Sequence, residues 1–353
     1  MKKEKMSYIV RTFTIILLAT ILLVGCNGDG EASVEQITGT EYALGTYISV
    51  RIHSDEADDE LLQRVFERVV EIEEKMSVSE DDYDATELLN LNRHAGAEPY
   101  EVSPDTYEVL EAAREYSELT DGAFDLSIGP LVSLWNVGSE DASVPGEEQI
   151  AEAVAKVDYS NVSFEGNNTV YLEEAGMAVD VGAIAKGYAA DEAARILLEA
   201  GVEHALLDFG GNILTVGNKP DGSDWRIGVQ HPEESRNSYL GIITGTNEAV
   251  VTSGPYERYF VEDGVRYHHI LDRRTGYPTR NGMLSATIVT EESMKADALS
   301  TATFVMGLKD AQELVLSLVD VEAIFVTEDK RAWVSPGLQE RFELTAEDIE
   351  TMS

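Results

Sequence analysis

The stretch Met177-Ala178-Val179-Asp180-Val181-Gly182-Ala183-Ile184-Ala185-Lys186-Gly187-Tyr188 organises the rest of the chain. An apolar strand runs into Asp180, a glycine turn follows, and a helix opens near Ala183. The helix is expected to reach Ala200, where Gly201 closes it. Backbone amides at a helix start favour anions, and Lys186 would sit in the first turn, so the segment suits a phosphate. Taken alone, it equally suits a tight strand–helix junction braced by a salt bridge between Asp180 and Lys186.

Upstream, alternation within Glu41–His53 predicts a strand, with Ile48, Val50 and Ile52 on one face. Leu61, Leu62, Val65, Val69 and Ile72 recur at helical spacing, which predicts an amphipathic helix over 55–76. Ser103-Pro104 places a cap before a proline and starts a helix that continues to about Leu119. Short strands are expected over 157–180, turning at Gly166-Asn167-Asn168, and several more between Ala205 and Ile288. Helices around Ser293–Met306 and Lys309–Leu318 follow, then strands near Val321–Val326 and Ala332–Val334. Early helices, clustered strands and further helices argue for one large mixed α+β domain over 39–345, with a tail at 346–353. No fixed period repeats, which disfavours a solenoid or propeller.

The 353 residues and their 43% hydrophobic share are enough for a sizeable core. There are 26 Lys and Arg against 66 Asp and Glu, a formal net charge of −40. Such a surface repels phosphate backbones and makes nucleic acid a poor partner. One Cys supports neither an intramolecular disulfide framework nor a Cys-based zinc site.

That Cys has a telling position. Lys2, Lys3, Lys5 and Arg11 precede a short apolar run, Thr12–Val24, which ends in Leu23-Val24-Gly25-Cys26. The pattern is that of a secretory signal over 1–25 resembling the bacterial lipobox, with Cys26 lipidated as the new N-terminus. Residues 26–38 then form a small, polar tether, and the protein is expected on the outer face of the cytoplasmic membrane, anchored without spanning it. Without residues 1–25 the chain keeps 22 basic and 65 acidic residues, a net charge of −43.

Common catalytic motifs are missing. Asp208-Phe209-Gly210 spells a kinase tripeptide, but no companion loop accompanies it. There is no Walker A sequence, GxGxxG, HExxH or GxSxG elbow. His268 and His269 are adjacent, so on a strand they would face opposite sides.

Two further segments crowd small residues around polar groups. Ser253-Gly254-Pro255-Tyr256-Glu257-Arg258 leads to His268-His269-Ile270-Leu271-Asp272, where a His beside a strand end could meet a ligand ring or a proton. A satisfied core His is the plainer reading. In Ala296-Asp297-Ala298-Leu299-Ser300-Thr301-Ala302, Asp297 and Thr301 share a helix face and could offer hard oxygens to Mg²⁺. The plainer alternative is a capping Asp and a Thr bonded to its own helix.

Together the three segments resemble the ApbE family, flavin transferases that attach FMN to proteins with FAD as donor. Further matching pieces are Ala43-Leu44-Gly45-Thr46, Thr120-Asp121-Gly122-Ala123-Phe124-Asp125, Gly129-Pro130-Leu131, Gly210-Gly211-Asn212 and Thr252-Ser253-Gly254, and the match ends near Gly307. The resemblance implies FAD bound at Leu44, at Ala123, Phe124 and Asp125, at Asp180 and Lys186, and near His269 and Ile270. It implies Mg²⁺ held by the Ala183 carbonyl, the Asp297 carboxylate and the Thr301 hydroxyl. A Ser or Thr of an acceptor protein, expected to be an extracytoplasmic electron-transfer subunit, would attack the FMN-side phosphorus and release AMP. Asp180 or His269 would position or deprotonate that hydroxyl, and the residues leave the choice open. FAD pyrophosphatase and a non-catalytic flavin-binding lipoprotein are the alternatives. Two departures stand out. Met76-Ser77 leads to Val78-Ser79 where the family carries an aromatic, and Arg273 follows Asp272 where the family commonly has Pro. The second change is expected to be tolerated in a turn.

Overall fold

Central strands with apolar residues on both faces must be covered on both faces, and that requirement gives the molecule three layers. The computed structural model describes residues 35–79, 82–235 and 238–352, so the signal segment 1–25 and Cys26 lie outside it. Its main sheet has nine strands in the spatial order 36–43, 46–53, 205–209, 212–216, 249–253, 283–290, 322–327, 331–334 and 350–351. All neighbours pair antiparallel except the last two.

Ala249, Val251, Ala286, Ile288, Ala323 and Phe325 face one core. Val250, Val289, Ile324 and Val326, the intervening residues, face another. The first core is closed by helices α1 (Asp59–Met76), α2 (Glu87–Arg93), α3 (Pro104–Leu119), α6 (Ala185–Glu199) and α7 (Ser293–Met306). The second is closed by a three-stranded sheet formed by Trp225–Gln230, Tyr239–Gly245 and Phe342–Leu344. A satellite core joins α4 (Gly129–Trp135) and α5 (Glu147–Val154) to the hairpin Tyr259–Glu262/Val265–His268. Helix α8 (Leu308–Ser317) follows α7 directly. Among the described residues, no helix is long and apolar enough to cross a membrane.

Several boundaries differ from the sequence expectations. The strand over 41–53 is a hairpin, Gln36–Ala43 and Thr46–His53, whose two-residue turn puts both Leu44 and Gly45 at positive φ (53° and 68°). Positive φ at both turn residues fits the twist of tightly paired strands. The hairpin begins inside the stretch expected as tether. The C-terminal segment also folds: Ile349 is buried, and Glu350–Thr351 pairs parallel with Arg331–Ala332. A hydrophobic side chain and an open sheet edge together draw in a segment that composition alone marks as a tail.

Candidate active site

The signature segment is held in place by its neighbours. Asn92 on α2 donates to the Val179 carbonyl (3.0 Å) and accepts from the Val179 amide (2.7 Å), acting as a substitute strand. On the other side, the amides of Gly129 and Asp180 donate to the carbonyls of Ala178 and Leu126. A Cβ on Gly129 would stand 2.7 Å from the Ala178 oxygen, so only glycine permits this approach. A cleft of about 270 Å³ opens here, with Asn92, Gly129 and Asp180 in its wall. Its concave surroundings push the Asp180 carboxyl up, against the opposing pull of the Gly182 amide (2.7 Å) and the nearby Arg258 charge.

Lys186 does not pair with Asp180. Its ammonium lies 3.0 Å from Oδ1 of Asp297 on α7, 111 residues away, while the Gly187 amide donates to Oδ2 at 3.0 Å. The Asp297 carboxylate therefore takes one of the amides that the sequence offered to a phosphate. The Ala185 amide is also used, by the Val181 carbonyl. Anion binding at this helix start rests on Lys186 more than on open backbone.

A reciprocal bond runs the other way. Asp191 on α6 accepts from the amides of Ser293 (2.9 Å) and Met294 (2.8 Å), the first two residues of α7, whose own cap residue Glu292 makes no side-chain cap. Burial pushes the Asp191 carboxyl up to about 6. At the crossing, a Cβ on Gly187 would lie 2.3 Å from the Ser293 oxygen. Helix α6 and helix α7 thus meet backbone to backbone and exchange carboxylates. Sequence reasoning missed Asp191 and Asn92, because each acts on a partner roughly ninety or more residues away.

Thr301 is neither of the alternatives in isolation. Its hydroxyl meets the Ser253 hydroxyl at 3.2 Å, and Ser253 also meets Ser300 at 2.8 Å. It is Thr303 that bonds its own helix, at the Leu299 carbonyl. Asp297 and Thr301 lie four residues apart on α7, and Ala183 precedes Lys186 by three residues in sequence. Among the described residues no group of three or more His, Cys, Asp or Glu is gathered to hold a metal.

The two histidines divide as strand geometry requires. His268 is the satisfied core residue: Nε2 meets the Thr279 carbonyl at 2.9 Å, and Nδ1 accepts from the Ile270 amide. His269 is half-buried, and its Nδ1 faces the Arg258 carbonyl at 3.3 Å. A carbonyl only accepts, so Nδ1 carries the proton and Nε2 keeps its lone pair. Burial, with help from the Arg258 and Lys186 charges, lowers His269 to about 4. The ring is neutral at physiological pH. Arg258 also donates to the Gly45 carbonyl beside Leu44 (3.3 Å), which brings the hairpin turn to the same side.

Three expected flavin contacts sit deeper than their side chains would need. Phe124 and Ile270 are buried in the main core. Asp125 is buried too, its oxygens taken by the Ser127 amide and hydroxyl and by Arg273. Burial pushes its carboxyl up, and those bonds pull against the push. A ligand would meet this wall through its backbone or through half-buried Ala123.

The family model for the ApbE family matches residues 44–325. A protein of Treponema pallidum named FAD:protein FMN transferase is 35% identical over 343 residues, covering 92% of this chain and 94% of its own. Among solved structures, an ApbE protein of Thermotoga maritima superposes with a TM-score of 0.80 at 37% identity, over 87% of this chain and 99% of its own. The flavin transferase ApbE of Vibrio cholerae gives a TM-score of 0.78 at 31% identity over the same shares. Sequence and fold agree along nearly the whole described length, and the chain belongs to the ApbE family.

Proposed function

We propose that this chain is an FAD:protein FMN transferase that uses Mg²⁺ and works outside the cytoplasmic membrane, tethered through lipid on Cys26. The observation that carries the reading is the Lys186–Asp297 ion pair across α6 and α7, with the Arg258 charge felt by both Asp180 and His269, in a chain whose relatives bear that name.

The donor set fits a magnesium ion: the Asp297 carboxylate, the Thr301 hydroxyl and the Ala183 carbonyl are all hard oxygens. Bound there, Mg²⁺ would polarise the FAD pyrophosphate and offset charge on departing AMP. Lys186 supplies fixed positive charge on the same side. The acceptor's Ser or Thr oxygen forms a bond to the FMN-side phosphorus as the bond from that phosphorus to the AMP oxygen breaks. His269 Nε2, unprotonated because Nδ1 is committed to Arg258, takes the hydroxyl proton. Asp180, fixed by the Gly182 amide, orients that hydroxyl.

Apart from buried groups such as Asp125 and Glu248, the remaining acidity lies largely at the surface. With one carboxylate in the metal set, the net charge of −40 serves solvation, and FAD needs the local compensation that Lys186 and Arg258 provide. Incubation with FAD, Mg²⁺ and a family-type acceptor, read by in-gel flavin fluorescence and AMP release, tests the proposal. One covalent FMN per acceptor is expected. Free FMN and AMP at the same rate without acceptor would replace it with pyrophosphatase, and tight FAD binding without AMP would reduce it to a binding protein. Cys26→Ala is expected to block lipid-dependent processing and membrane retention.

A further inference from the structure

Arg273 does more than fill a turn. It follows Leu271–Asp272, the short strand just after His269 and Ile270, and reaches back across the molecule. Its Nη1 donates to Asp125 Oδ2 at 3.1 Å, where the Asp125 side chain is 1% exposed and that of Arg273 24%. Its Nη2 leans on the Asp121 carbonyl at 3.5 Å. The guanidinium lies over the Tyr159 ring, 5.3 Å from its centroid.

The guanidinium also lies flat on Gly122. A Cβ at Gly122 would stand 2.3 Å from Arg273 Nε, and the residue has φ +74°. The turn thus supplies the bare backbone against which the arginine packs. Asp125 adds the charge. Its other oxygen is filled by the Ser127 amide (2.9 Å) and hydroxyl (2.6 Å), so Arg273 is its cationic partner in the described structure. A proline at 273 would have neither the charge nor the reach.

We propose that Arg273 is a positioning residue that braces the Gly122–Asp125 turn against the His269–Ile270 segment and so sets the spacing of two walls of the flavin-nucleotide site. The inference rests on the FAD-transfer reading for what lies between those walls. The brace itself is a contact between segments 148 residues apart in sequence. Asp125 is then the anchor of the brace, and Arg273 acts on FAD through it.

The test compares detergent-solubilised full-length wild type with Arg273→Ala, Arg273→Pro and Arg273→Lys, each alone and with Asp125→Asn. FAD affinity is read by quenching of flavin fluorescence, and kcat is read at saturating FAD. Losing a buried charge-assisted bond should weaken FAD binding about tenfold or more in the Ala and Pro variants while kcat falls less than about threefold. Lys restores part of the affinity. In the Asp125→Asn background the effect of Arg273→Ala should shrink to about twofold or less, because the two residues act as one unit. Amide exchange over residues 121–127 should quicken in Arg273→Ala without any flavin. Unchanged FAD affinity in Arg273→Ala, or a tenfold loss that persists in the Asp125→Asn background, overturns the brace. If wild type itself bound no FAD, the transfer reading would fall separately, and unchanged exchange in Arg273→Ala would then overturn the brace.

Discussion

Helices α1 and α2 start differently from the two helices that carry Lys186 and Asp297. Helix α1 is capped by Asp58, which accepts from the Leu61 amide at 2.9 Å, and α2 by Thr86, which accepts from Leu89 at 3.0 Å. Both caps lie within the helix's own sequence. Helices α6 and α7 have no such cap, and each takes a carboxylate from the other, Asp297 to the start of α6 and Asp191 to the start of α7. Local caps end a helix in any context. Exchanged caps fix two helices to one another, and that fixed crossing carries Lys186, Asp297 and Thr301.

The strongest way to break this comparison is to remove the carboxylate that serves both the crossing and the chemistry. Asp297→Ala should lower transfer by at least about 100-fold, since it deletes the one carboxylate of the proposed metal set and the partner of Lys186. Normal Mg²⁺-dependent turnover in that variant would remove Asp297 from the mechanism.

Asp191 gives a test through pH. Its carboxyl is raised to about 6 in the fold, so the folded chain holds this proton more tightly than the unfolded chain does. Its contribution to stability is therefore full below the ordinary carboxylate range and is lost as pH rises through 6. Wild-type stability relative to Asp191→Asn should fall across that window by up to on the order of 3 kcal/mol. Urea denaturation between pH 4 and 7.5 checks this, and parallel curves for the two proteins would contradict it.

Gly187→Ala sharpens the comparison without touching a charge. The new Cβ would meet the Ser293 oxygen and force the helices apart, costing about 1–3 kcal/mol and lowering transfer along with stability. A thermal melt paired with an activity assay reads both. The smallest effect belongs to a local cap: Asp58→Ala should cost about 1 kcal/mol and leave transfer unchanged. Lost activity there would mean that local caps also hold the site.

The same contrast explains what could be read in advance. Ser103-Pro104 marked the start of α3, and α7 spans Ser293–Met306 as its pattern implied, because cap and periodicity are local signals. Helices α2, α4 and α5 went unread: at seven, seven and eight residues they complete about two turns, too few for a period to stand out. With α2 went Asn92, whose bond to Val179 is visible only once the helix is placed. A salt bridge from Lys186 to Asp180, six residues away, was one of two readings the local sequence allowed, and Lys186 has its partner on α7 instead. The C-terminal segment read as a tail because its parallel pairing partner is supplied by the sheet edge.

By itself the sequence determined the longer elements and the mixed α+β class, and it nominated candidates for the chemistry, since caps, turns and apolar spacing act over a few residues. Only the tertiary structure decided which oxygen each cation meets and which histidine faces Arg258. It also decided that Arg273 closes on Asp125. Those choices depend on burial and on charges brought together over 111 and 148 residues of chain, where attraction falls with distance in space and no local pattern records it.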